Sequence, residues 1–124
     1  MVTIPVSIGE LVDKITILMI KEHHAKDQQL VNIQKELHLL QAKLDDLGLS
    51  GHPHFDSMLQ ALTNINVSLW HIEDQIRVME RNQDFGSDFI TLARAVYQTN
   101  DERSALKLQI NKTFNSEIIE EKIY

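Results

Sequence analysis

Four polar side chains recur at helical spacing near the end of the sequence, at positions where a core-facing helix would be apolar. They are Asn100, Arg103, Lys107 and Asn111, and they interrupt an apolar seam that runs from Phe89 to Phe114. A helix that packs on a core carries apolar residues at steps of three and four. No acidic residue lies three or four positions from either cation. A buried cation needs an anion, so its partner must come from elsewhere.

Three interpretations of this stripe stay open. It is a structural ion-pair network with carboxylates of other helices, a binding site for a small anion such as a sugar phosphate or carboxylate, or a solvated charged face. The ion-pair interpretation draws its acids from Glu73 or Asp74, or from Glu10 or Asp13. The ligand interpretation predicts a site formed by Asn100, Arg103, Lys107, Asn111, Arg94, Tyr97, Trp70, Glu73 and Asp74.

Arg103 carries the sharpest expectation. We expect its side chain to be at least half shielded from solvent and to meet a carboxylate of another helix or a bound anion. If the network is structural, Arg103→Met is expected to keep the fold, because an apolar replacement avoids desolvating an ion pair.

Other chemistry has weaker support. The six histidines lack the (i, i+4) pair of a helical zinc site, and there is no cysteine, so the sequence predicts no metal and no cofactor. The acidic pairs Glu10-x-x-Asp13 and Glu117-x-x-Glu120 are common by chance in an acidic helical protein. Gly-rich phosphate loops and G-x-S-x-G motifs are missing as well. Catalysis is therefore less expected than binding.

Composition limits the class of protein. The 124 residues suffice for one domain, so residues 1–124 are predicted to form a single unit. A net charge of −6 disfavours nucleic-acid binding. No uninterrupted apolar run is long enough to span a membrane, and the N-terminus does not resemble a signal peptide, which makes a cytoplasmic location the expectation.

Apolar periodicity predicts an all-α protein, a bundle of four helices. An extended arm (1–6) precedes helix one, which begins at the capping box Ser7-Ile8-Gly9-Glu10 and ends near His24. Helix two covers about 28–47, helix three starts near Phe55, and helix four follows a break at 83–87. The capping-box pattern Thr99-Asn100-Asp101-Glu102 leaves open whether helix four is continuous or breaks there. Residues 116–124 form a C-terminal tail.

Two long seams dominate the middle of the chain. Apolar residues step by three and four without a miss from Leu30 to Leu47 and again from Phe55 to Met79. Such seams suit coiled-coil packing, and the short turn between them predicts an antiparallel hairpin of helices two and three. They are richer than a small monomer needs, so the sequence predicts a homodimer.

Several segments resemble a family of small, uncharacterised bacterial proteins, a domain of unknown function. The matching segments are IPVSIGELVDKITIL (4–18), NVSLWHIEDQIR (66–77), LARAVYQTNDERSALKLQIN (92–111) and EEKIY (120–124). The resemblance covers the whole chain and implies no known activity; some relatives resemble proteins of sugar transfer and envelope glycans, which suggests a context only. Met19 departs from the pattern, in which an acid is expected after ITIL.

Overall fold

The computed structural model describes residues 1–124 as four helices without strands: α1 (Ile8–His24), α2 (Asp27–Asp46), α3 (Phe55–Arg81) and α4 (Ser87–Thr113). The prediction of an all-α helical bundle is confirmed. Helix α4 runs without interruption through Thr99–Glu102, so the alternative with a break there is wrong. None of the four combines the length and apolar character that a membrane-spanning helix needs.

Helix α1 is the centre of the arrangement. It packs against α2, α3 and α4, and the only other packed pair is α3 with α4. The predicted hairpin of helices two and three is not confirmed, because α2 and α3 form no packed pair. The physical reason lies in α1, whose buried positions cover more than one face of the helix: Gly9, Leu11, Val12, Asp13, Ile15, Thr16, Leu18 and Ile20. An apolar helix of this kind takes neighbours on two sides.

One hydrophobic cluster joins all four helices. Its α2 members, Leu37 and Leu44, belong to the long seam of that helix, which therefore faces α1. Helix α3 contributes Phe55 and Leu62, and α4 contributes Ile110. Both long seams therefore contribute residues to this cluster. Leu47, the last residue of the α2 seam, is 46% exposed.

The helix ends bring the C-terminal tail back to the start of α1. Ser7 caps α1, its Oγ accepting a hydrogen bond from the Glu10 N–H at 3.1 Å, as the capping box predicts. Asn115 adopts a left-handed conformation after α4, and the Ser116 N–H donates to the Asn111 carbonyl at 2.8 Å, the bond of a Schellman motif. Ser116 Oγ in turn accepts from the Ile8 N–H at 3.0 Å.

Helices α3 and α4 continue beyond the end of α1. The last residue of α1, His24, stacks on Trp70 with ring centroids 4.6 Å apart. We call residues 71–99 the distal hairpin. No residue between Asn66 and Lys107 is buried, so this part of the protein has a half-buried seam in place of a core.

Leu62→Ala is expected to lower the free energy of unfolding by roughly 2–5 kcal/mol, because Leu62 is fully buried and the change leaves a cavity. Leu39→Ala is the matched control; Leu39 is 45% exposed, and its removal should cost less than about 0.5 kcal/mol. Urea unfolding followed by circular dichroism measures both. Equal losses would contradict the position of the core.

Candidate functional site

The polar stripe of α4 turns inward, toward α1 and α3. Arg103 meets Asp13 with two hydrogen bonds: Nε donates to Oδ1 at 2.9 Å, and Nη2 donates to Oδ2. Asp13 has no exposed surface, whereas 28% of the Arg103 side chain is accessible. A bidentate arginine–carboxylate pair is among the strongest hydrogen-bonded contacts in proteins. The Asp13 hydrogen bond raises the pKa of the Arg103 guanidinium, against an opposing effect of burial.

Two further side chains complete the surroundings of Asp13. Asn66 of α3 donates through Nδ2 to Asp13 Oδ1 at 2.9 Å and to Thr16 Oγ1 at 2.8 Å. The Thr16 hydroxyl donates to the Asp13 backbone carbonyl at 2.7 Å. No buried side-chain nitrogen or oxygen lacks a partner. The carboxylate of this α1 residue is thus held by groups from α3 and α4 together.

Lys107 forms a second ion-pair centre one turn further along α4. Its Nζ lies 2.6 Å from Glu10 Oε2 and 3.0 Å from Glu120 Oε1 in the tail. Burial by itself lowers the pKa of the Lys107 ammonium, but the hydrogen bonds to Glu10 and Glu120 outweigh it, and the pKa is raised. A third pair, Lys122 with Asp101 at 3.6 Å, also links the tail to α4.

A close helix crossing lies beside these pairs. The Gly9 N–H donates to Asn111 Oδ1 at 2.6 Å, and a Cβ added at Gly9 would lie 2.5 Å from the Lys107 carbonyl oxygen. Only glycine allows the two backbones to approach this closely. Asn111 is therefore a helix–helix contact, with 1% of its surface exposed.

The expectation for Arg103 is confirmed, since the side chain is largely shielded and meets a carboxylate of another helix. Its partner is Asp13, one of the four acids considered. Glu73 pairs instead with Arg77 on its own helix at 3.4 Å.

The nine predicted ligand residues lie in three different parts of the structure. Lys107 and Asn111 contact α1, as described. Arg94 and Tyr97 are exposed on the distal hairpin. The other five line one open groove between α1, α3 and α4: Trp70, Glu73, Asp74, Asn100 and Arg103.

Thr16, Asn66 and Glu120 were not among the predicted site residues. Thr16 follows Asp13 by three residues on the buried face of α1, and Asn66 starts the polar flank of α3 that includes Trp70 and Glu73. The available signal was a polar residue directly beside the apolar seam of α1 and of α3. The contact of Glu120 depends on the reversal of the chain at Asn115, which no local pattern indicates.

Comparison with known proteins assigns the family. The sequence profile described as "Family of unknown function (DUF6165)" matches residues 2–124. The chain belongs to this family. No curated protein and no solved structure matches it. The expectation that the whole chain resembles a family of unknown function is thereby confirmed.

In this DUF6165 chain the charged groups are arranged to neutralise one another. Arg103 and Lys107 each have carboxylate partners at hydrogen-bonding distance. No group of three His, Asp or Glu side chains is placed to hold a metal ion. The geometry fits the structural ion-pair interpretation of the stripe, and the groove beside it is the remaining candidate for a ligand.

Arg103→Met is now expected to be costly, which reverses the expectation from sequence, because the fully buried Asp13 would lose its counter-charge. The loss should be roughly 3–5 kcal/mol of unfolding free energy. Asp13→Asn should cost about 1–3 kcal/mol, since Arg103 can still reach water. The double variant should be more stable than Arg103→Met alone. Urea unfolding of the three variants tests this, and purely additive losses would contradict it.

Lys107 should stabilise the fold in a pH-dependent way. Its pKa is raised in the folded state, so its contribution is fully present below about pH 10.4, the pKa of a free lysine. That contribution is lost as the pH rises through the higher pKa of the folded state. The stability difference between the natural protein and Lys107→Met should therefore be constant from about pH 8 to 10 and shrink above.

The exposed Lys112 on the same helix forms no ion pair and provides the control. Lys112→Met should differ from the natural protein by the same amount at every pH. Urea unfolding at each pH gives both differences. A Lys107→Met difference that stays constant through about pH 11.5 would show that the ion pair contributes no linked stability.

Proposed function

We propose that this protein is a non-enzymatic helical interaction module that self-associates through its distal hairpin. The observation that carries the proposal is the lack of any buried residue between Asn66 and Lys107, although this segment forms most of two long helices. A pair of helices by itself shields only a narrow strip of each surface. The apolar residues beside that strip need another partner.

The distal hairpin carries apolar residues both on and off its seam. The seam residues are half-buried: Ile72, Ile76, Met79, Phe89, Leu92 and Val96. Further large apolar residues are exposed, namely Val78, Phe85, Ile90 and Tyr97, at 44–56% of their surface. Two such hairpins related by a two-fold axis would complete a four-helix bundle and cover both sets.

The proposed interface is formed by α3 and α4, whereas the sequence suggested self-association through the hairpin of helices two and three. The α2 seam, one of the two that motivated the expectation of a dimer, packs against α1 within the chain. It is not free to bind a second copy. In the distal hairpin α3 and α4 pack only against each other, and no third helix covers them.

Binding of a small anion, the alternative considered from sequence, has less support. An anion at Arg103 would compete with the bidentate carboxylate of Asp13, and one at Lys107 would compete with Glu10 and Glu120. Displacing these acids would leave a buried carboxylate without its counter-charge. In the same arrangement the carboxylates of Asp13 and Glu10 are engaged by Arg103 and Lys107, so neither is free to act as a general base.

Multi-angle light scattering at high micromolar concentration should give about twice the chain mass of 14.3 kDa. Ile90→Lys should give the monomer mass, because a charge is placed in the apolar surface of the distal hairpin. Val31→Lys on α2 is the matched control, since Val31 and Ile90 are both 56% exposed. It should remain a dimer.

Two results would refute the proposal. A monomer for the unaltered chain would exclude self-association. A dimer that Val31→Lys dissociates and Ile90→Lys leaves intact would place the interface on α2. Circular dichroism of both variants confirms that each stays helical.

A further inference from the structure

The groove beside the buried ion pair has the composition of a ligand site. It has a volume of about 440 Å³, within the range of roughly 300–1,000 Å³ typical of small-molecule pockets. Ile17 of α1 and Leu69 of α3 provide apolar wall, and the ring of Trp70 lies next to them. Asn66, Asn100 and Arg103 provide polar groups within the same groove.

One polar atom in this groove is without a protein partner. Asn66 is 5% exposed, and its amide nitrogen makes two hydrogen bonds, to Asp13 and Thr16. Only the nitrogen can donate to a carboxylate, so Oδ1 is the atom left over. It makes no hydrogen bond within the chain, and because no fully buried polar atom is unpaired, it is accessible. Asn66 lines the groove, which makes this oxygen an acceptor available to a bound molecule.

The charges around the groove favour an uncharged ligand. Arg103 is paired with Asp13, and Arg77 is paired with Glu73 at 3.4 Å. An anion would have to displace one of these carboxylates. Asp74 is the one acid of the groove without an ion pair that could attract a cation. Because Asp74 is exposed to water, it would hold a cation weakly.

The hydrogen-bonding groups of the groove include both an acceptor and donors. Asn66 Oδ1 accepts hydrogen bonds, whereas the Asn100 amide nitrogen and the Arg103 guanidinium donate them. The hydrogen bond that Arg103 Nη1 donates to Asn100 Oδ1 is long, at 3.4 Å. A hydroxyl group both donates and accepts, so neighbouring hydroxyls match such a set. A flat apolar C–H face on the same molecule would suit Trp70 and Leu69. We propose that the groove binds a neutral saccharide, a function beyond self-association and independent of it.

Trp70 provides a direct measurement because it is the only tryptophan of the chain. Its fluorescence should change saturably when the 124-residue chain is titrated with at least one of glucose, galactose, mannose and N-acetylglucosamine. Inorganic phosphate and arginine hydrochloride, the charged probes, should give no saturable change. The same titration of Ile90→Lys should give the same affinity, which separates this proposal from self-association.

Asn100→Ala should weaken the responding sugar roughly fivefold, the effect of one lost hydrogen bond. Gln98→Ala, at an exposed position on the same helix, should bind as the natural protein does. Unfolding curves of both variants verify that they are folded. No response to any of the four sugars, a response confined to phosphate or arginine, or equal affinities for Asn100→Ala and Gln98→Ala would overturn the proposal.

Discussion

The buried carboxylate of Asp13 is the constraint on which the rest of this structure depends. A charged group with no exposed surface is tolerated only where a counter-charge and hydrogen-bond donors surround it. Here the counter-charge comes from α4, through Arg103, and the remaining donor comes from α3, through Asn66. The positions of α1, α3 and α4 along one another are therefore fixed. A shift of one turn along any of them would leave Asp13 unpaired.

Close packing at the start of α1, one turn before Asp13, follows the same logic. The crossing at Gly9 brings the α4 backbone near enough for Asn111 to accept the Gly9 N–H, and it places Lys107 beside Glu10. The tail then adds Glu120 to the pair after the chain reverses at Asn115. Buried ion pairs contribute little net stability compared with apolar residues of similar size. Their effect in this protein is to make one arrangement of α1, α3 and α4 the only one in which every buried charge is paired.

The two ends of the molecule differ in how their apolar surface is covered. In the part of the molecule that contains α1, this helix gives α2, α3 and α4 a common core. Its polar residues bond to α3 and α4 and fix the register of those two helices. Beyond His24 and Trp70, α3 and α4 have only each other. The groove lies at the boundary between these parts, where α1 no longer fills the space between the other two helices.

The sequence by itself determined the helices and much of the site. Periodicity located all four helices and the apolar seams, and Ser7 marked the start of α1 because capping is a local interaction. The absence of acids near Arg103 showed that its partner must come from another helix. Tertiary structure alone decided which acid pairs with Arg103, because the sequence offered four possible partners and no reason to prefer one: Asp13, Glu10, Glu73 and Asp74. It also decided that α2 lies against α1 and not α3, because a seam specifies an apolar neighbour without naming it. Tertiary structure also decided the roles of Asn66, Thr16 and Glu120, which depend on contacts between residues far apart in sequence. Asn66 and Asp13, for example, are 53 residues apart. A local sequence pattern cannot indicate a contact over such a separation.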